Sequence, residues 1–165
     1  MEYLDVVDNN DLVVGNASKE DVYKQLLPHR IVHILVYNDK GEMAVQVRGK
    51  NVTFCPEHWC TSAAGHVQTG ESYERAAARE LEEELGIKST LNFIDKFFYH
   101  ADDRPDKFIA VFETFHTGPL KLDPDEVGAC SYFDKSKIGQ MVSAGEKFHP
   151  EFLFILDKLN LINSL

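Results

Sequence analysis

The chain has 165 residues, 44% apolar and 27% charged, which fits one globular core and excludes a disordered polymer. A formal charge of −10 argues against nucleic-acid or membrane-surface binding, so an anionic ligand would have to be met through a divalent cation. The acidic amino terminus, the lack of any stretch of membrane-spanning length and three cysteines without metal-ligand spacing predict a cytoplasmic protein with no leader, membrane anchor or disulfide.

In chain order, "YLDVV" and "DLVVG" read as two short strands around the turn "DNN". "SKEDVYKQLL" reads as a helix capped by Ser18 and stopped at Pro28. Residues 30–48, "RIVHILVYNDKGEMAVQVR", read as a hairpin about the turn "DKG", and residues 49–58 as a loop. "WCTSAAGHV" reads as a short strand and a bend. Ser72 caps a helix running to about Leu85, which Gly86 ends. "STLNFIDKFFYHA" and "KFIAVFETFHTG" read as strands joined by the polar "DDRPD". "KLDPDEVG" reads as a loop, "CSYFD" as a strand, and "KSKIGQMVSAG" and "PEFLFILDKLNLI" as two closing helices. With no repeat or linker, the expectation is one mixed α/β domain over 1–165.

The helix ending at Gly86 carries Glu80, Glu82, Glu83 and Glu84, although like charges on neighbouring positions repel. At 100° per residue from Glu80, Glu83 falls at about 300° and Glu84 at about 40°. Leu81, Leu85 and Ala78 fall between about 100° and 160°, which predicts a buried stripe beside the carboxylates. Glu82, near 200°, points to solvent. Three carboxylates sharing a face make a hard-oxygen site suited to Mg²⁺ or Mn²⁺, whereas a solvated helix face is the bland alternative. "GHVQTGE" just before the helix adds two glycines, where backbone can approach a phosphate or present a carbonyl to a cation.

Residues 65–87 resemble the Nudix box, Gly-x5-Glu-x7-Arg-Glu-U-x-Glu-Glu-x-Gly-U with U aliphatic. Gly65, Glu71, Arg79, Glu80, Leu81, Glu83, Glu84, Gly86 and Ile87 fill every specified position. The resemblance implies the Nudix fold, a mixed β-sheet sandwiched between α-helices. It also implies Mg²⁺-dependent hydrolysis of a phosphoanhydride in a small diphosphate metabolite, often a nucleoside diphosphate derivative. Glu80, Glu83 and Glu84 would bind metal, with the carbonyl of Ala64 as a further ligand. Arg79 would orient a glutamate, Glu71 and Gly65 would support the loop, and Gly86 would stop the helix. Glu80 and Glu83 are candidates for the general base. In several branches that base comes from a later loop, where Glu126 stands; a plain turn residue is the equal alternative.

Beyond the box, "LPHRIVHILVYNDKGEMAVQVR", "EHWCTSAAGHVQTGES" and "LDPDEVGACSYFD" resemble the isopentenyl-diphosphate isomerase-like branch of the superfamily. Isomerases carry a catalytic cysteine where this chain has Ala64. Cys60, four residues away, would be about 13 Å distant along an extended strand. Where isomerases have two carboxylates spaced by one residue, this chain has Pro105 and Lys107. The box is intact and the isomerase set is lost, so hydrolysis is the expected activity, ahead of allylic isomerisation or a noncatalytic ligand-binding module.

His29 and His66 match isomerase metal ligands whose partner ligands are missing here; a structural role outweighs substrate contact for both. Arg48 and Lys50 are either phosphate contacts or surface charge. The expected partner is a small diphosphate substrate, with neither nucleic acid nor membrane, and the chain as monomer or homodimer.

Overall fold

The computed structural model describes residues 1–163, so the last two residues of the expected domain lie outside it. The elements run β1 (Tyr3–Val7), β2 (Val13–Ser18), α1 (Lys19–Lys24), β3 (His29–Tyr37), β4 (Met43–Arg48), β5 (Trp59–Cys60) and β6 (Ala63–His66). They continue with α2 (Tyr73–Leu85), β7 (Asn92–Ala101), β8 (Arg104–Phe115), β9 (Val127–Phe133), α3 (Lys135–Ser143) and α4 (Pro150–Lys158). β1 and β2 form a separate antiparallel pair, and the other strands form one mixed sheet in which β3 and β8 run parallel.

Side chains alternate across a strand, so each central strand feeds two layers. Ile31 and Leu35 of β3, with Ile109 and Val111 of β8, pack against Ile138 and Met141 of α3 and Phe152, Ile155 and Leu156 of α4. Val32, Ile34 and Val36, with Ala110 and Phe112, pack against Ala76, Ala77, Leu81 and Leu85 of α2. The result is the expected α/β/α sandwich.

The 30–48 hairpin forms only at its turn. Asn38 Oδ1 accepts from the amides of Lys40 and Glu42, and Gly41 takes φ 74°, but Tyr37↔Met43 is the sole β3–β4 register pair. Beyond it the two strands diverge. β6 hydrogen-bonds β3 from Ile31 to Ile34, while β5 pairs Gln46 and Val47 of β4. Alternation foretells both strands but not this split, because the competing partners come from later in the chain.

The β7–β8 turn is also tighter than "DDRPD" implied: Ala101 pairs with Arg104, leaving Asp102 and Asp103 as the turn. Pro105 fits in β8 because the β7 ladder is irregular between Tyr99 and Ala101 and β3 pairs only from Lys107 onward, so no ladder amide is needed there. Likewise, β8 ends at Phe115, β9 starts at Val127 and α4 stops at Lys158, each differing by a few residues from the sequence expectation.

Asp11 ties the outlying hairpin to the rest. This residue is 7% exposed, and its carboxylate accepts from Arg30 of β3 at 2.6 Å, Lys96 of β7 at 2.6 Å and the Tyr73 hydroxyl of α2 at 2.9 Å. Burial opposes its ionisation, but the two cations and the hydroxyl hold its pKa below the usual value.

Candidate active site

The split between β3 and β4 opens into a cavity of about 1190 Å³, walled from both sides of the sheet. One wall is α2. Ser72 Oγ accepts from the Arg75 amide, satisfying the helix start, and Gly86 ends the helix at φ 68°. A Cβ on Gly86 would also sit 2.8 Å from Lys121 Cβ, in the loop leading to Glu126.

On this helix the carboxylates do not flank the buried stripe; they lie within it. Glu80 and Glu84 are 9% and 6% exposed and share the inward arc with Ala76, Ala77, Leu81 and Leu85. Ala78, placed in the stripe by the wheel, is exposed instead, because the arc centres near Glu84 and not near Leu81. Glu83 stands at the exposed rim and Glu82 faces solvent.

Arg79 braces this arrangement. Its Nε and Nη2 each donate to the Glu71 carboxylate at 2.9 Å, and Nη2 also reaches the His66 carbonyl at 2.9 Å. Nη1 donates to Glu80 at 2.7 Å and Glu83 at 3.3 Å. Glu71 also accepts from the Gln68 amide, so one guanidinium fastens the loop to the helix. Gly65 has no room for a side chain: a Cβ there would lie 2.1 Å from the Glu80 carboxylate. Glu84 accepts from Gln46 Nε2 at 2.5 Å and the Ala64 amide at 3.4 Å. Burial, together with the Glu80 charge, pushes Glu84 up to about 8. Burial raises Glu80 to about 7 against the pull of Arg79.

Among the described residues, no three carboxylate, histidine or cysteine side chains yet close on a common point. Instead, Arg79 Nη1 bridges Glu80 and Glu83. The donor set nevertheless fits a divalent cation. It is all oxygen, it contains a buried Glu84 with no cationic partner among the described ion pairs, and the missing side chain of Gly65 lets the Glu80 carboxylate lie against β6.

Beside α2, the loop after β8 adds Asp123, Asp125 and Glu126 to the cavity lining. The Asp123 amide donates to the Glu84 carbonyl and the Gly49 amide to the Glu126 carbonyl, which fixes the loop between α2 and the end of β4. The third wall is basic. Arg104 and Lys107 enter from β8, and Lys107 Nζ donates to Glu151 of α4 at 2.6 Å. Glu151 also hydrogen-bonds His33, which reaches Thr61. Burial opposes the Glu151 charge, but Lys107 and His33 hold its pKa well below the usual carboxylate value. None of this network is visible from spacing, since His33 and Glu151 are 118 positions apart.

Arg48 and His66 line the cavity, whereas Lys50 does not. Arg48 spends its Nε on the Phe54 carbonyl, holding the loop. His66 hydrogen-bonds the Tyr23 hydroxyl, and burial keeps its pKa well below the ordinary value. His29 gives the secondary reading, substrate contact, no support. It is fully buried, stacks on His66 with centroids 5.5 Å apart and does not line the cavity. Cys60 is likewise buried and absent from the cavity wall, and burial pushes its thiol up to about 12. Gln46, Asp123, Arg104 and Glu151 line the cavity although sequence reading did not single them out, and Lys107 was noted only as replacing an isomerase carboxylate. For Gln46, a polar residue in an apolar strand was the available signal.

Comparison with known proteins agrees with this geometry. The sequence matches the NUDIX domain family over residues 27–154. It is 32% identical to an uncharacterised Nudix hydrolase of Listeria monocytogenes, covering 99% of this chain and 97% of that protein. It is also 36% identical to isopentenyl-diphosphate Delta-isomerase 2 of Photorhabdus laumondii, over 61% of this chain and 56% of that protein. A crystal structure of DR0079 from Deinococcus radiodurans superposes with a TM-score of 0.82 at 22% identity, covering 95% of this chain and 98% of that one. With its box at the split sheet and its family match spanning most of its length, the chain belongs to the Nudix family.

Proposed function

We propose that residues 1–165 form one hydrolase domain that cleaves a phosphoanhydride in a small diphosphate metabolite, with Mg²⁺ or Mn²⁺ as cofactor. The observation that carries this reading is the placement of Glu80 and Glu84 inside the buried arc of α2, with Glu83 at its rim and no room beside Gly65. Glu80, Glu83, Glu84 and the Ala64 carbonyl would hold the cation. When bound, it would neutralise phosphate oxygens and acidify a water. Arg79 keeps Glu80 and Glu83 in register through one nitrogen. That contact weakens either glutamate as a base. Glu126 has no side-chain hydrogen bond or ion pair among the described residues and lines the same cavity as the box carboxylates, so we assign it the water's proton.

The site argues against isomerisation. A proton must reach and leave carbon, but Ala64 has no transferable proton, Cys60 is sealed off, and Lys107, an ammonium tied to Glu151, cannot serve as the base. The three free cysteines are compatible with a reducing cytoplasm. A panel of nucleoside diphosphate sugars, dinucleoside polyphosphates and prenyl diphosphates tests the reading, with products followed by ³¹P NMR in Mg²⁺. Phosphomonoester products that vanish in Glu83→Gln and fall roughly 100-fold or more in Glu126→Gln are expected. An isomerised diphosphate with no phosphate species released would overturn hydrolysis.

A further inference from the structure

We propose that Arg104 forms an anion subsite, separate from the box carboxylates, which receives a further phosphate or carboxylate of the substrate beyond the diphosphate being cut. The inference deepens the hydrolase reading and rests on it for the identity of the rest of the ligand.

Arg104 begins β8 and lines the cavity. Its guanidinium carbon lies 3.7 Å from the centre of the Phe54 ring and 5.0 Å from that of Tyr23, so two aromatic faces hold it in place. Phe54 is in turn fixed through its carbonyl by Arg48. Yet Arg104 Nε is buried and has no hydrogen-bond partner, and no ion pair among the described residues includes this arginine. Aromatic faces attract a guanidinium, but they accept no hydrogen bonds in its plane. A withdrawn N–H without an acceptor is destabilising, which marks this guanidinium as short of a partner.

No carboxylate among the described residues pairs with Arg104. Glu151 is taken by Lys107 and His33, Asp106 by His100 and Glu2 by Lys19, while Glu20 on the same cavity is exposed and makes no ion pair among those residues. Asp102 and Asp103 are exposed in the β7–β8 turn. The neighbouring histidines add no negative charge. This corner is therefore cationic within a chain of net charge −10, on a cavity whose other walls are acidic. A planar fork of donors matches an oxyanion, and phosphate and carboxylate share that chemistry.

The test is a ¹H–¹⁵N NMR titration of the arginine Nε–H resonances in the whole chain, without metal, using inorganic phosphate and separately acetate. Comparison with Arg104→Gln assigns the resonance. A saturable shift of the Arg104 signal is expected; a tighter response to phosphate names a phosphate group, and a tighter response to acetate names a carboxylate. No saturable shift with either anion overturns the subsite. Kinetics supply the second readout, with diphosphate substrates compared in matched pairs that differ only in one additional phosphate or carboxylate. Wild-type protein should favour the more anionic member by roughly tenfold or more, through KM, and Arg104→Gln should largely erase that preference. An unchanged preference in the variant counts against the proposal. The two readings fail separately: hydrolysis without an Arg104 shift removes only the subsite, and a shift without hydrolysis of any diphosphate removes only the hydrolase assignment.

Discussion

Replacing Gly65 with alanine adds a single methyl group where the structure has no space. The new Cβ would lie 2.1 Å from both Cδ and Oε1 of Glu80 and 2.5 Å from Oε2. Ordinary contact begins near 3.4 Å, so the carboxylate must retreat by more than an ångström. It cannot do so freely, because Arg79 holds it at 2.7 Å and the side chain is mostly enclosed. Overpacking of this kind costs about 1–3 kcal/mol of stability. The larger effect falls on function, since displacing a site group by about an ångström costs on the order of 100-fold in rate. Steady-state hydrolysis across a Mg²⁺ titration, with thermal unfolding as a control, measures both. The expected result is a folded protein with weakened Mg²⁺ dependence and a collapsed kcat. If Gly65→Ala kept the wild-type rate and Mg²⁺ midpoint, the close approach of β6 to Glu80 would have no part in catalysis.

Further outcomes follow from other parts of the molecule. Without metal, stability should fall as pH rises from about 5 to 8.5. Glu80 and Glu84 have folded pKa values raised to about 7 and about 8, so the folded state retains protons that the unfolded chain releases from about 4.5 upward. Each tenfold that folding adds to a carboxyl's proton affinity is worth about 1.4 kcal/mol, so the midpoint should drop by at least several degrees, and Mg²⁺ should flatten the slope. A pH-independent midpoint would contradict the burial of these groups. Asp11→Ala should cost about 3 kcal/mol in urea unfolding, because it strands Arg30 and Lys96 side by side; a loss within error would show that the tether is idle. Glu71→Gln should weaken Mg²⁺ binding roughly 10-fold or more by loosening Arg79 without removing any proposed ligand, as a Mn²⁺ titration would reveal; unchanged affinity would make the brace irrelevant.

Local chemistry made α2 readable. Ser72, Gly86 and the wheel of Glu80, Glu83 and Glu84 are short-range facts, and the helix lies where they put it. The strands were readable through alternation, whereas the three-layer packing was implied only by the resemblance to the Nudix family. The split between β3 and β4 was not, since it depends on β5 and β6 competing for edges that the hairpin pattern assigns to each other. The wheel also misplaced the inward arc: it set the carboxylates beside the buried stripe, whereas Glu84 is held within it by Gln46 and Ala64 from distant strands. The Lys107–Glu151–His33 chain and the unpaired Arg104 join residues far apart in sequence, none of which carries a local signature.

The proposed chemistry depends on the α2 carboxylates taking up a divalent cation. Electron paramagnetic resonance of free Mn²⁺ at pH 8, titrated with protein, reads this uptake without reference to any substrate. Wild-type chain should quench the free-ion signal saturably, Mg²⁺ should restore it by competition, and Glu84→Gln should bind at least roughly 10-fold more weakly. A free Mn²⁺ signal unaffected by stoichiometric wild-type protein would contradict the metal site and the proposed chemistry with it.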